Sequence, residues 1–264
     1  MQLTSYDNLT SDNIIFNEAK EFKVKVSKIK YKRIPIEVKY PNGKKGPLVI
    51  ESPFLFSFGV NEKKSQETKK LDGYSIPVCL WSKDSEPNAE EQWFFEALSN
   101  IMGMCTLHLE SEYGADLPSS LSSPFYYKQE ECVDKKRKKK IRKDPSAAPV
   151  LYAKPIYSEK SKKILSLFKT KGKKDWNPFK YIDQYCNVKM ALIIDGIFMS
   201  KTVTSLQIKV HEFYIKPLKP RESLLTIEEE NEVSESESES ESEGDYRKDG
   251  LEELIVKVNN EEWY

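Results

Sequence analysis

The sequence predicts an α+β, β-rich fold: an antiparallel barrel or sandwich elaborated with one longer helix, long basic loops and a disordered acidic tail. Three observations carry this. Apolar and polar residues alternate with period two in several stretches, as in strands with one wet face. One longer stretch, starting near Pro87, repeats at helical steps instead. Charge is divided into opposed blocks: residues 128–180 hold eighteen Lys or Arg against six Asp or Glu, a net +12, and residues 228–264 hold three against fifteen, a net −12. The formal total of zero therefore conceals a strongly basic region and an acidic one.

In chain order, residues 1–20 are polar and are expected to be flexible or to add a short edge element. A nucleic-acid-binding domain is expected over 21–227. Phe22 to Ile29 alternates, as do Ile34, Ile36, Val38 and Tyr40. Asn42-Gly43 is a hairpin signal, and Leu48-Val49-Ile50 with Phe54, Phe56 and Phe58 supplies returning strands. Tyr74 to Trp81 offers another strand. Pro87 then begins a helix capped by Asp84 or Ser85, with Trp93, Phe94, Ala97, Ile101 and Met104 as its apolar stripe. Leu117 to Pro124 is a loop by composition.

A mobile basic loop is expected over 128–149, because the run from Lys135 to Lys143 has almost nothing apolar to bury. Val150, Tyr152 and Ile156 form the strand after it. Ile164, Leu165 and Phe168 share a face if Ser161–Phe168 is a short helix, and Lys171 to Phe179 is a second basic loop. Val188, Met190, Leu192 and Ile194 alternate up to Asp195-Gly196, read as a second hairpin turn. A long final strand runs from Val203 to Ile215, ended by Pro217. The tail, 228–264, contains a Ser-Glu repeat too charged to fold. Ser234, Ser236, Ser238, Ser240 and Ser242 each precede an acid by three positions, which suits acidophilic kinases.

Chemistry-bearing motifs are sparse. The four cysteines form no C-x-x-C pair, so neither a zinc site nor a disulfide framework is expected. His108-Leu109-Glu110 matches half of a zinc deaminase signature, but no P-C-x-x-C follows. There is no Walker A, G-x-S-x-G, H-E-x-x-H or G-x-G-x-x-G motif. No catalytic residue, metal or cofactor is expected, and the chain is read as a binding protein. No apolar run reaches the length of a membrane span. The N-terminal residues lack a secretory pattern, so an intracellular protein is expected.

Lysines release condensed counterions when they approach phosphates, and aromatic rings stack on unpaired bases. The residues expected to hold phosphates are Lys135, Lys136, Arg137, Lys138, Lys139, Lys140, Arg142, Lys143, Lys169, Lys171, Lys173 and Lys174. Trp176, Phe179, Tyr181 and Tyr152 are expected to stack. Glu261, Glu262, Trp263 and Tyr264, after the Ser-Glu run, resemble the acidic, aromatic-ended tails of bacterial and phage replicative single-stranded-DNA-binding proteins. The Asn42-Gly43 hairpin, the mid-chain lysine insertion and the strand Ser205 to Val210 are similar to those of single-stranded-DNA-binding proteins of large cytoplasmic DNA viruses.

The resemblance implies an OB-like barrel that binds single-stranded DNA, or RNA in its place, without sequence preference during replication, recombination or repair. It also implies a tail that autoinhibits and then recruits replication or repair partners through Trp263 and Tyr264. The setting it implies is the host cytoplasm, at viral factories, or the nucleus. The rival expectation is a histone-chaperone-like or virion scaffold protein whose tail binds basic proteins.

Overall fold

The computed structural model describes residues 1–23, 30–64, 69–82, 85–133, 139–144, 147–170 and 177–218, with the backbone alone at 130–133 and 139–143. The expected tail at 228–264 lies outside these residues. So does 24–29, the continuation of the first expected strand.

The N-terminal half contains β1 (Ile14–Phe16), β2 (Lys20–Lys23), β3 (Lys30–Lys39), β4 (Lys45–Glu51), β5 (Leu55–Ser57), β6 (Asn61–Lys64) and β7 (Leu71–Cys79), followed by helix α1 (Ala89–Tyr113). After the helix come β8 (Leu121–Ser122), β9 (Phe125–Tyr126), β10 (Gln129–Val133), β11 (Lys139–Lys143) and β12 (Val150–Pro155). The remainder is β13 (Tyr157–Ser158), β14 (Lys163–Ile164), β15 (Leu167–Thr170), β16 (Cys186–Met199) and β17 (Thr204–Pro217).

β5, β7, β12, β17 and β16 pair in a ring and close an OB-like barrel, as expected. Every pairing in the ring is antiparallel except β12 with β17, which is parallel. The β16–β17 hairpin is its spine. The free edge of β16 is shared in series by β5, β4 and β3, and that of β17 by β8, β12 and β15. Inward residues alternate along the spine, with Val188, Met190, Leu192 and Ile194 facing Ile208, Val210, Phe213 and Ile215 across a buried core.

Two bulges bend this spine. Ala191 pairs with Glu212 but Leu192 with Val210, which leaves His211 as the extra residue; Ile194 pairs with Ile208 and Gly196 with Gln207, which leaves Asp195. An added residue kinks and twists a strand, which helps a long strand follow a closing barrel. Asp195-Gly196 is thus not the turn its composition suggested. The real turn lies at Ser200–Val203, where the Ser200 N–H donates to the Val203 carbonyl at 2.8 Å. Gly196 is needed because a Cβ there would lie 2.3 Å from the Ile34 carbonyl oxygen. Asn42-Gly43 does turn the chain between β3 and β4, with Gly43 at φ +77.

Helix α1 begins at Asn88, not at the expected Asp84 or Ser85. The Asn88 side chain accepts from the Glu90 and Glu91 backbone N–H groups while Glu91 accepts from the Asn88 N–H, a capping box. The buried stripe is Phe94, Ala97, Leu98, Ile101, Cys105 and Leu109. Trp93, expected in it, is 61% exposed, because the stripe is rotated toward Leu98 and Cys105. His108 stacks on Phe16 with centroids 4.1 Å apart, and burial lowers its pKa. The free thiols Cys105 and Cys186 are buried, and burial pushes them up to about 12 and about 11.

The N-terminal segment supplies the short edge element: the buried Thr4 donates its N–H to the Val49 carbonyl at 2.7 Å, and β1 pairs with β3 at the edge of the sheet. Two other expectations are corrected. Part of the expected basic loop is a ladder, since β10 and β11 pair from Gln129↔Lys143 to Val133↔Lys139. Ser161–Phe168 is not helical; β13 and β14 form a small hairpin and β15 runs parallel to β17. In that short segment Ile164 is half-buried, Phe168 is buried and Leu165 is 57% exposed, so they do not share a face.

Candidate nucleic-acid interface

β12 alternates after Val150, which is itself buried. Leu151, Ala153 and Pro155 are buried, so Tyr152 and Lys154 project from the outer face of the barrel. Tyr152 lies opposite Pro77 of β7 and meets the Tyr126 ring edge-on at 5.0 Å and 86°. Burial, and secondarily Cys79, pushes its phenol up to about 12, so its hydroxyl stays protonated at neutral pH. The ring is half-buried, with part of it on the surface.

Lys154 lies beside Lys209 in the parallel register of β12 and β17. It is exposed by area, but its ammonium is crowded by protein, and this desolvation is the main reason its pKa falls to about 8. The like charge of Lys63 pushes in the same direction, and Asp72 opposes it. The β6–β7 hairpin brings Lys63 there by pairing it with Gly73. On the other side, the bulge residue Asp195 accepts from Arg33 and holds the Lys209 Nζ at 2.6 Å. Four cations, Arg33, Lys63, Lys154 and Lys209, thus have two acids, Asp72 and Asp195, among them. The balance is positive on a face that also presents Tyr152.

The structure treats the sequence candidates unequally. Lys169 sits on β15 and is ion-paired to Glu212. Phe179 and Tyr181 belong to a 3-10 turn, Pro178–Tyr181, and lie half-buried against the core. Phe179 packs on Tyr74 at 5.3 Å, and Tyr181 on Phe168 at 5.7 Å. Both of these rings, expected to stack on bases, make core contacts and remain half-buried. Lys139, Lys140, Arg142 and Lys143 lie on β11, and their side chains are not described. Lys135, Lys136, Arg137, Lys138, Lys171, Lys173, Lys174, Trp176, Trp263 and Tyr264 lie outside the described residues.

Among the described sequence-selected rings, Tyr152 is the one on the face of this cationic cluster. Arg33, Lys63, Lys154 and Lys209 come from four different strands, and no local signal links them. The parity of Tyr152-Ala153-Lys154 could have identified Lys154. Among the described residues, no group of three or more His, Cys, Asp or Glu could hold a metal ion. No described helix is long and apolar enough to cross a membrane.

No curated protein matches the chain in sequence. A family match extends over residues 12–253, from before the first edge strand into the acidic segment. The chain therefore belongs to the family described as "Protein of unknown function (DUF2738)".

Proposed function

We propose that this protein binds single-stranded nucleic acid, DNA in the first instance, without sequence preference, on the outer face of β7, β12 and β17. The observation that carries the reading is Lys154 crowded beside Lys63, one alternation from the exposed edge of Tyr152, on a closed OB-like barrel. OB-type barrels bind oligonucleotides on the face of their second and third strands. In barrel order those are β7 and β12. Phosphates offset the excess of positive charge, while a ring adds roughly 1–3 kcal/mol of sequence-tolerant stacking per base. The basic β10–β11 hairpin, inserted between β7 and β12, supplies further cations to the same strand.

The acidic segment 228–264 competes with nucleic acid for this face and, once released, meets replication or repair partners through Trp263 and Tyr264. The setting is replication, recombination or repair of a large DNA virus. The test is titration of labelled oligo-dT and of a duplex of equal length at low and moderate salt, with Lys63→Glu and Lys154→Glu alongside. Single strands are expected to bind tighter than duplex, with a steep salt slope that becomes shallower in both variants. No binding at low salt, or equal affinity for duplex, refutes the proposal. Deleting 228–264 is expected to tighten binding; unchanged DNA affinity with lost affinity for basic proteins points to the scaffold alternative.

A further inference from the structure

Resting on that reading, we infer that the β2–β3 ribbon is a second stacking platform for the same strand, built from Phe22, Tyr31 and Phe198. Phe22 and Tyr31 are directly opposite in the β2–β3 ladder, and their rings stack at 5.3 Å with 15° between planes. Phe198 of β16 continues the row at 5.1 Å from Tyr31. Phe22 is 41% exposed, so the row ends on an open ring, unlike Phe179 and Tyr181, which close over core. With Tyr31 and Phe198 half-buried and Phe22 exposed, the stacked row leaves apolar ring surface in water at its Phe22 end, which suits a contact site.

The charges around the row select the occupant. Lys20 is opposite Arg33 on the ring face, while Lys23 and Lys30, opposite each other one residue beyond the rings, point to the other face of the ribbon. Like charges placed directly opposite destabilise a strand pair. Among the described residues no acid pairs with Lys20, Lys23 or Lys30. An apolar partner on the ring face would leave the Lys20 ammonium beside Arg33 uncompensated, whereas a phosphate chain neutralises it as its bases cover the rings.

The platform also continues into the barrel site. Arg33 pairs in register with Phe198, Phe198 with Ser205, and Lys209 with Lys154. From β2 to β12 the path crosses β3, β16 and β17. At about 4.8 Å per strand step the track spans roughly 19 Å across the strands, with about 13 Å more along β17 from Ser205 to Lys209. One strand can thus run from the Phe22 rings past Arg33 and Lys209 to Lys154 and Tyr152.

The test compares wild type, Phe22→Leu and Phe22→Trp in the full chain, using oligo-dT of increasing length, with urea unfolding as the control for folding. Leucine keeps apolar bulk and removes the ring; tryptophan keeps the ring and reports on stacking by its fluorescence. The expected result is wild-type affinity for the shortest oligonucleotides, which reach the barrel face alone. For longer ones Phe22→Leu should bind roughly tenfold more weakly, while Phe22→Trp binds normally and is quenched. Tight wild-type binding with Phe22→Leu unchanged at every length overturns this inference and leaves the proposed function standing. Failure of wild type to bind any oligonucleotide overturns both. Binding of a protein in place of nucleic acid, with no quenching by oligo-dT, also overturns it.

Discussion

Gly196→Ala tests the bulge that turns β16. An ideal Cβ at this position sits 2.3 Å from the Ile34 carbonyl oxygen and 3.1 Å from both the Ile34 carbonyl carbon and the Pro35 Cα, whereas ordinary contact begins near 3.4 Å. The obstacle is backbone, so it cannot rotate away. β3 and β16 must part by about 1 Å, which stretches the hydrogen bonds of the ladder from Gly196↔Pro35 to Met199↔Lys32. Overpacking of this kind costs roughly 1–3 kcal/mol, and losing the two nearest ladder bonds adds about 1 kcal/mol each. The expected loss is about 3–5 kcal/mol, out of the ~5–15 kcal/mol that holds a typical domain together. With an m-value of about 2–3 kcal/mol/M, the urea midpoint falls by roughly 1–2.5 M. Equilibrium unfolding followed by circular dichroism measures this. A loss below about 1 kcal/mol would refute the claim that close approach of β3 is what requires glycine.

Other expected outcomes follow from the same physical description. Lys154 has a folded-state pKa of about 8 against an ordinary 10.5, so between those values the unfolded chain binds more protons and its contribution to stability rises with pH. A bound phosphate favours the charged form, so oligonucleotide affinity should fall as pH rises through 8 and stay flat in Lys154→Arg; anisotropy titrations that show the same slope in both would exclude Lys154 from the contact. Asn88→Ala removes the helix cap and should cost about 1 kcal/mol by urea unfolding. Leu98→Ala, at a fully buried position, should cost about 2–5 kcal/mol in the same assay, and a smaller value would mean that α1 is not seated on the core as described.

Much of the barrel was legible because strands with one buried face record their parity residue by residue, as from Val188 to Ile194 and from Ile208 to Ile215. Asn42-Gly43 was legible because a tight turn needs a positive φ at the glycine. Asp195-Gly196 carries the same dipeptide signal, yet its glycine answers to Ile34, distant in sequence, which no local pattern reveals. The helix was legible in type but not in phase. Trp93 and Phe94 are both large and apolar, and only the packing against the barrel decides which one is buried. Ile164, Leu165 and Phe168 fit a helical period in a segment too short for period to discriminate. Tyr152 was selected from the mixture of rings and lysines. The cations beside Lys154 were not, because Lys63 and Lys209 reach it only through hairpin and barrel closure.

The arrangement of the β16–β17 hairpin constrains how the chain can assemble. Six earlier segments, from β3 to β15, take their places along its two margins, yet its own residues, Cys186–Pro217, are made after all of them. During synthesis those segments must wait without their partner, their apolar sides facing water or one another. Closure dominated by contacts so distant in sequence is slow. Until Lys209 and Val210 are made, β12 has no β17 to pair with and the ring cannot close, so the barrel forms only when nearly all of its strands are present.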